Sequence, residues 1–120
     1  MTVMFHESIA TGTPITSQEW TAVATKAGNL RAVTNFVFIS AEYGGSSANK
    51  DIGIRIMLNG NEVAFDYYTP SVANQYRKFT DFGIYTPVAD EEVTLSVEVR
   101  ALGTEQTVIT RRIKIMVMQT

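Results

Sequence analysis

Apolar and polar residues alternate with a period of two along most of this chain, and helical periodicity is nearly absent. The clearest case is the segment "EEVTLSVEVRA" at residues 91–101. One face of this segment carries only apolar residues, namely Val93, Leu95, Val97, Val99 and Ala101. The opposite face carries Thr94, Ser96, Glu98 and Arg100. Such a pattern predicts a β-strand with one buried side and one side in water.

The same alternation predicts further strands near residues 2–7, 18–24, 32–43, 76–85 and 107–118. Segments rich in Gly, Pro, Ser and Asn separate them, including "TKAGN" at 25–29, and are predicted to be loops. The run "NFVFISAEY" is apolar on both faces, which predicts a central strand covered on both sides. About eight strands in one domain spanning 1–120 predict an all-β, antiparallel β-sandwich, with a small barrel as the alternative.

The segment "IRIMLNGNEVAF" at 54–65 predicts a hairpin around Asn59-Gly60. A two-residue type I′ turn needs positive φ at both central residues, which Asn and Gly tolerate well. This turn places Leu58 opposite Asn61, and a regular ladder then pairs inward-facing apolar residues. The predicted pairs are Ile56 with Val63, Ile54 with Phe65 and Ile52 with Tyr67.

Composition narrows the function classes. The 120 residues are 45% hydrophobic and carry a net charge of −2, which does not suggest a nucleic-acid or membrane-surface partner. Cysteine is absent, so disulfides and thiolate metal sites are excluded. The N-terminal residues lack a signal-peptide pattern, and no apolar run approaches the ~20 residues that span a bilayer. We therefore expect a soluble protein that is synthesised in the cytoplasm.

The inventory of catalytic groups is poor. His6 is the sole histidine, and its neighbour Glu7 would point to the opposite face of a strand. The acidic residues show no calcium-loop spacing, and no GxSxG nucleophile elbow is present. The turn Asp90-Glu91-Glu92 is most simply explained as solvated, although a converging carboxylate pair stays open. We expect no enzymatic activity, no cofactor and no bound metal.

Two other features favour an interaction surface. Tyr68, Tyr43 and Tyr85 fall at strand ends near loops, where exposed tyrosines suit protein interfaces and sugar stacking alike, or pack under loops at the rim. In "RRIKIMVMQT", Met116 and Met118 continue a strand face that begins with Arg112 and Lys114. The N-terminal arm, a loop or another subunit could cover these methionines. Because the chain ends two residues later, we expect a subunit contact.

The succession "DIGIRIMLNGNEV" and "FTDFGIYTPVADEEVTLSVEVRALGTEQTVITRRIKIMVM", at about residues 50–118, resembles bacteriophage virion jelly-roll modules. These include capsid decoration proteins and tail-fibre heads of the C1q/tumour-necrosis-factor-like kind. The shared outline is a polar-tipped hairpin, an aromatic strand, a "VTLSVEVR"-type strand and an Arg-bearing final strand. The resemblance implies a jelly-roll-like sandwich that forms trimers and builds or reinforces a particle, and it places no metal- or receptor-binding residue.

Three functions follow as hypotheses. The first is a non-enzymatic structural virion protein, a capsid decoration (cement) subunit that forms a homotrimer and contacts a viral capsid or other particle protein. It would be made in the host cytoplasm and located in the virion. The alternative is a carbohydrate- or receptor-binding module of the tail-fibre head type, in which these tyrosines stack on a glycan, with Asn74 and Gln75 near Tyr76. A small β-sandwich enzyme is the third hypothesis.

Overall fold

The computed structural model describes residues 2–120, in which eight β-strands form and no helix is present. No helix able to cross a membrane is found in this part of the chain. The strands are β1 (Thr2–Thr11), β2 (Thr21–Leu30), β3 (Asn35–Gly45), β4 (Ile52–Leu58), β5 (Asn61–Tyr68), β6 (Tyr76–Tyr85), β7 (Glu91–Ala101) and β8 (Val108–Gln119).

The strands form two four-stranded antiparallel sheets packed face to face. Sheet A has the order β1-β8-β3-β6, and sheet B has the order β2-β7-β4-β5. The first strand thus pairs with the eighth, the second with the seventh, the third with the sixth and the fourth with the fifth. This nested pairing across two sheets is the topology of a jelly roll. The predicted antiparallel β-sandwich of about eight strands is confirmed.

Alternation along the strands builds the core between the two sheets. The five apolar residues of β7 that the sequence places on one face are all buried. On β3, which lies centrally in sheet A, Val37 and Ile39 point into the core. Phe36 and Phe38 lie on the other face of β3 and stay partly exposed. The prediction of a central strand is therefore correct, but residues 2–120 do not cover its outer face fully.

Strand β2 begins and ends later than predicted. It ends later because residues 25–29 continue the strand instead of forming a loop. Gly28 explains why this segment was predicted wrongly. A Cβ atom at this position would collide with the ring of Phe5, which packs across from β1. Here glycine permits close packing between the two sheets and does not mark a turn.

The hairpin of β4 and β5 has the predicted turn. Asn59 and Gly60 both have positive φ, at 51° and 85°, and Leu58 pairs with Asn61. This geometry fits a type I′ turn.

The rest of the predicted hairpin register is wrong, because a β-bulge interrupts the ladder opposite Ile56 and Met57 of β4. Ile56 pairs with Ala64 and Met57 pairs with Glu62, so Val63 is the extra residue on β5. A bulge of one residue exchanges the two faces of the strand beyond it. Phe65 and Tyr67 consequently point outward, whereas Asp66 and Tyr68 point toward sheet A.

Candidate functional site

The outer face of sheet A is the main candidate site, and β8 lies near its centre. Ile113, Ile115 and Val117 are buried on the inner side of β8, as the alternation predicts. Met116 and Met118 lie on the outer side and are partly exposed. The outer side of β8 is therefore apolar near its C-terminal end.

Neighbouring strands extend this apolar segment across the whole sheet. On β3, Phe38 pairs with Met116 and Phe36 pairs with Met118. On β6, Phe82 pairs with Phe38 and Ile84 pairs with Phe36, while Val3 of β1 pairs with Met118. We call this surface the apolar face; it consists of Val3, Phe36, Phe38, Phe82, Ile84, Met116 and Met118.

The apolar face is open to solvent at its margins. Ile84 is 63% exposed, Phe82 is 55% exposed and Val3 is 45% exposed. The rings of Phe38 and Phe82 stack with their centroids 6.0 Å apart. Strand β1 pairs with the edge of β8 and so lies beside the two methionines, not over them. Within residues 2–120, the N-terminal strand thus leaves this face uncovered.

An open groove of about 400 Å³ runs along the same surface. Phe38 and Met116 form its apolar floor, and His6, Ser8 and Lys114 lie along it. His6 pairs with Met116 in the β1–β8 ladder and is exposed. The apolar face is therefore concave along this groove, and a side chain of another protein can pack into it.

The other end of the same sheet face is charged. Glu42 of β3 accepts hydrogen bonds from Arg111 at 3.2 Å and from Arg112 at 3.0 Å. Desolvation of the Glu42 carboxylate opposes its ionisation, but the hydrogen bonds and charges of the two arginines outweigh it, and the pKa of Glu42 is lowered. The guanidinium of Arg111 also lies 3.8 Å from the ring centroid of Tyr76. The outer face of sheet A is therefore apolar at one end and ionic at the other.

The tyrosines expected at an exposed interface lie elsewhere. Tyr43 is fully buried between the sheets and donates a hydrogen bond to Asp66 at 2.7 Å. The expectation that Tyr43 is exposed was therefore wrong. The pKa of Tyr43 is raised, chiefly because burial disfavours the phenolate and also because Asp66 accepts its proton in a hydrogen bond.

Tyr68 and Tyr85 are partly buried, and their hydroxyl groups are used inside the fold. The Tyr68 ring meets Tyr43 edge-on at 5.1 Å, and its hydroxyl donates to the Gln75 carbonyl at 2.9 Å. Burial raises the pKa of Tyr68. Tyr85 donates a hydrogen bond to Glu91, which together with burial raises the pKa of Tyr85. None of these three tyrosines belongs to the apolar face.

The remaining candidates do not converge. Within residues 2–120, no group of three or more His, Cys, Asp or Glu side chains is placed to hold a metal ion. Asp90 accepts a hydrogen bond from the backbone N–H of Ala32 at 2.9 Å and so ties the loop before β7 to the loop after β2. Asn74, which the alternative hypothesis placed near a sugar, is an exposed loop residue with positive φ.

The two methionines were predicted from the sequence, but the other members of the apolar face were not. A signal for Phe36 and Phe38 existed, because "NFVF" is apolar on both faces. Phe82 and Ile84 could not be added to it, since their position beside β3 depends on pairing between strands far apart in sequence. The order of strands in the sheet therefore had to be known first.

No protein-family model matches the sequence, and no curated protein matches it. Solved structures do share the fold. The insecticidal delta-endotoxin Cry8Ea1 of Bacillus thuringiensis matches with a TM-score of 0.58 and 14% identity over 88% of this chain and 19% of that chain. A chain of the infectious bursal disease virus Gt strain matches with a TM-score of 0.58 and 10% identity over 95% of this chain and 32% of that chain.

A third similar structure is the CBM36-1 domain of a multidomain xylanase from the hindgut metagenome of Trinervitermes trinervoides. Its TM-score is 0.51 with 10% identity, over 92% of this chain and 96% of that domain. This chain spans only about a fifth of the toxin and a third of the viral protein. At identities this low, the structural likeness to a toxin, a viral protein and a xylanase module shows a common jelly-roll-like β fold and no more.

Proposed function

We propose that this protein is a non-enzymatic structural subunit that assembles with copies of itself through the apolar face of sheet A. The observation that carries the proposal is the continuity of that face across all four strands, from Val3 on β1 to Phe82 and Ile84 on β6. Contiguous exposed apolar surface on a folded domain typically marks a site of protein association.

The energetics of the face support this assignment. Burying a large apolar side chain that was exposed stabilises an assembly by about 1.5–3 kcal/mol, and the partly exposed residues of this face each contribute a fraction of that. Several such residues side by side can offset the entropy lost on association. The ionic end, where Glu42 pairs with Arg111 and Arg112, lies on the same sheet face, so a partner that covers it has to match these charges.

We further propose that the assembly is a homotrimer and that the protein is a virion component of the capsid decoration (cement) kind. The sequence resemblance to phage jelly-roll modules supports this proposal, as does the shared fold of a chain from a virus structure. On a particle, many copies bind side by side, so modest contacts sum to stable attachment. In this proposal the protein is made in the host cytoplasm and resides in the virion, bound to a capsid or other particle protein.

The alternative of a carbohydrate- or receptor-binding module rested on Tyr68, Tyr43 and Tyr85. Tyr43 presents no ring to solvent, and the other two hydroxyl groups are engaged within the fold. We therefore do not place a sugar site at these three tyrosines.

Light scattering coupled to gel filtration tests the assembly. At tens of micromolar we expect a mass three times the 13.3 kDa of one chain. Ile84→Lys and Met116→Lys should each shift the mass toward one chain while changing the melting temperature little, because both side chains lie on the outer face. Val72→Lys is the matched control, since Val72 is 58% exposed on a loop away from the apolar face.

A wild-type chain that stays monomeric at this concentration would contradict assembly through self-contact. Equal loss of folding and assembly in Met116→Lys would show that this methionine is an ordinary core residue. For the virion assignment, mass spectrometry of purified particles from the strain that encodes the chain should find it in many copies per particle. Its absence from such particles would refute that part of the proposal.

A further inference from the structure

The outer face of sheet B, on the opposite side of the sandwich from the apolar face, carries a row of three aromatic rings. Trp20 precedes β2, and Phe65 and Tyr67 point outward from β5 as a result of the bulge at Val63. The ring centroids of Trp20 and Tyr67 are 6.0 Å apart, and those of Tyr67 and Phe65 are 5.7 Å apart. Phe65 is 55% exposed and Tyr67 is 40% exposed. The row therefore presents ring surface to solvent.

Gly53 of β4 forms the floor beneath this row. A Cβ atom there would lie 2.6 Å from Cε1 of Tyr67 and 3.2 Å from Cη2 of Trp20. Gly53 pairs with Tyr67 on one side and with Arg100 on the other. The absence of a side chain at Gly53 lets both rings lie down on the sheet.

Arg100 of β7 completes the arrangement and lacks an acidic partner. Its guanidinium carbon lies 4.9 Å from the Trp20 centroid and 5.8 Å from the Tyr67 centroid. Its Nε atom is buried without a hydrogen-bond partner among residues 2–120. No carboxylate in this part of the chain forms an ion pair with Arg100, and its side chain is only partly buried.

The neighbouring Arg55 also stacks on Trp20 but, unlike Arg100, it forms ion pairs with carboxylates. Its guanidinium lies 4.4 Å from the Trp20 centroid and pairs with Glu98 at 2.7 Å and with Glu62 at 3.7 Å. Two arginines thus stack on one tryptophan, but only one of them has its charge compensated by carboxylates. Among residues 2–120, Arg100 therefore keeps a positive charge beside the aromatic row that no carboxylate compensates.

We propose that Trp20, Phe65, Tyr67 and Arg100 form a binding site for a carboxylated saccharide, such as a uronic or sialic acid unit of a glycan. The apolar face of the sugar ring stacks on Tyr67 and Phe65, whose rings present large apolar surfaces at low entropic cost. The sugar carboxylate accepts hydrogen bonds from the two Nη groups of Arg100, whose planar arrangement suits carboxylates in a two-point contact. This site lies on the opposite sheet from the apolar face, and the proposal is independent of assembly.

Local charge favours this ligand over a nucleic acid. Glu62 and Glu98 pair with Arg55, which leaves the charge of Arg100 for a ligand, and a chain with a net charge of −2 offers a polyanion little further attraction. A single isolated carboxylate needs only Arg100.

The surroundings also favour a saccharide over a protein partner. Beyond the aromatic row, the outer face of sheet B continues with polar residues such as Thr25, Ser96 and Glu98. A stable protein interface typically covers about 800 Å² on each partner and has an apolar centre. The row is much smaller than this and is better matched to one or two sugar rings.

A glycan array followed by fluorescence titration tests the site. The array should carry sialylated, uronic-acid-containing and neutral oligosaccharides, and we expect signal only from carboxylated members. Trp20 is the only tryptophan, so its emission reports directly on the site. Titration with 3′-sialyllactose and with trigalacturonic acid should change this emission for at least one of them, whereas lactose at about 10 mM should leave it unchanged.

Variants separate the charge contact from the stacking contact. Arg100→Met keeps the apolar stem and should weaken binding of the carboxylated ligand at least tenfold, the usual effect of losing a charged hydrogen bond. Arg31→Met is the control, because Arg31 is an exposed loop residue outside the row. Phe65→Ser should weaken binding through lost stacking. It should change the stability of the fold little, because the Phe65 side chain is 55% exposed.

Several outcomes would overturn the proposal. They are an array without signal from any carboxylated glycan, equal binding of lactose, or binding that persists unchanged in Arg100→Met. A preference for oligo(dT) over every saccharide would assign the row to single-stranded nucleic acid instead. Measuring the mass of the Arg100→Met variant by light scattering keeps this test distinct from that of assembly, since we expect its oligomeric state to match the wild type.

Discussion

Single residues on sheet B decide which side chains reach solvent. Gly53 has no Cβ, so Tyr67 and Trp20 lie over the sheet, and Arg100 stacks beside them. On the inner side, Asp66 accepts a hydrogen bond from Tyr43 at 2.7 Å and an ion-pair contact from Arg77 at 3.3 Å. The inward and outward residues of β5 are therefore both fixed by specific contacts.

Gly53→Ala should disturb the aromatic row. Overpacking by one methyl group typically costs about 1–3 kcal/mol. Because Tyr67 is partly exposed and can shift, we expect a loss near the lower end of that range. The Trp20 emission should move as its ring is displaced. Gly103→Ala is the matched control, since a Cβ at Gly103 would meet no atom within 4 Å. Unchanged emission in Gly53→Ala would contradict the described packing.

Individual strands were predicted well wherever alternation was unbroken. The inner faces of β7 and β8 and the Asn59-Gly60 turn follow directly from the sequence. Strand β5 was not predictable in the same way. An unbulged ladder would have placed Val63, Phe65 and Tyr67 inward, which satisfies the hydrophobic pattern better than the observed arrangement. The bulge instead places Asp66 and Tyr68 against Tyr43, a contact between distant strands that no local pattern reveals.

The ion pairs between β3 and β8 give a pH dependence. Glu42 has a lowered pKa in the folded protein, because Arg111 and Arg112 stabilise its carboxylate. The stabilisation is therefore present above the ordinary carboxyl pKa and is lost as the pH falls through the lowered value. Glu42→Gln should melt below the wild type at pH 7, and the difference should close in acid.

Glu19→Gln provides the control for that experiment. Glu19 is exposed, and within residues 2–120 it forms no ion pair. Its replacement should leave the melting temperature almost unchanged across the same pH range. A Glu42→Gln deficit that stays constant from neutral to acidic pH would show that the carboxylate charge is not what stabilises the β3–β8 contact.

At the scale of the whole molecule, the jelly roll presents two different outer surfaces. Sheet A carries the apolar face with a charged end, and sheet B carries the aromatic row with Arg100 on a polar background. The sequence indicated a sandwich, an apolar outer segment at the end of β8 and a central strand, β3, that is apolar on both faces. It could not show that β3, β6 and β1 extend that strand into a continuous surface, because their order in sheet A arises from pairing between distant segments.

In the assembly that we propose, copies of the chain meet through the apolar face. Methyl NMR of methionine-labelled protein tests it most directly, because Met116 and Met118 lie on that face and Met57 lies on the outer side of sheet B with similar partial exposure. On raising the concentration from micromolar to millimolar, the Met116 and Met118 signals should shift or broaden while Met57 stays constant. Self-association through the apolar face would be contradicted if no methionine signal changed with concentration and the protein tumbled as a monomer. A change confined to Met57 would contradict it as well.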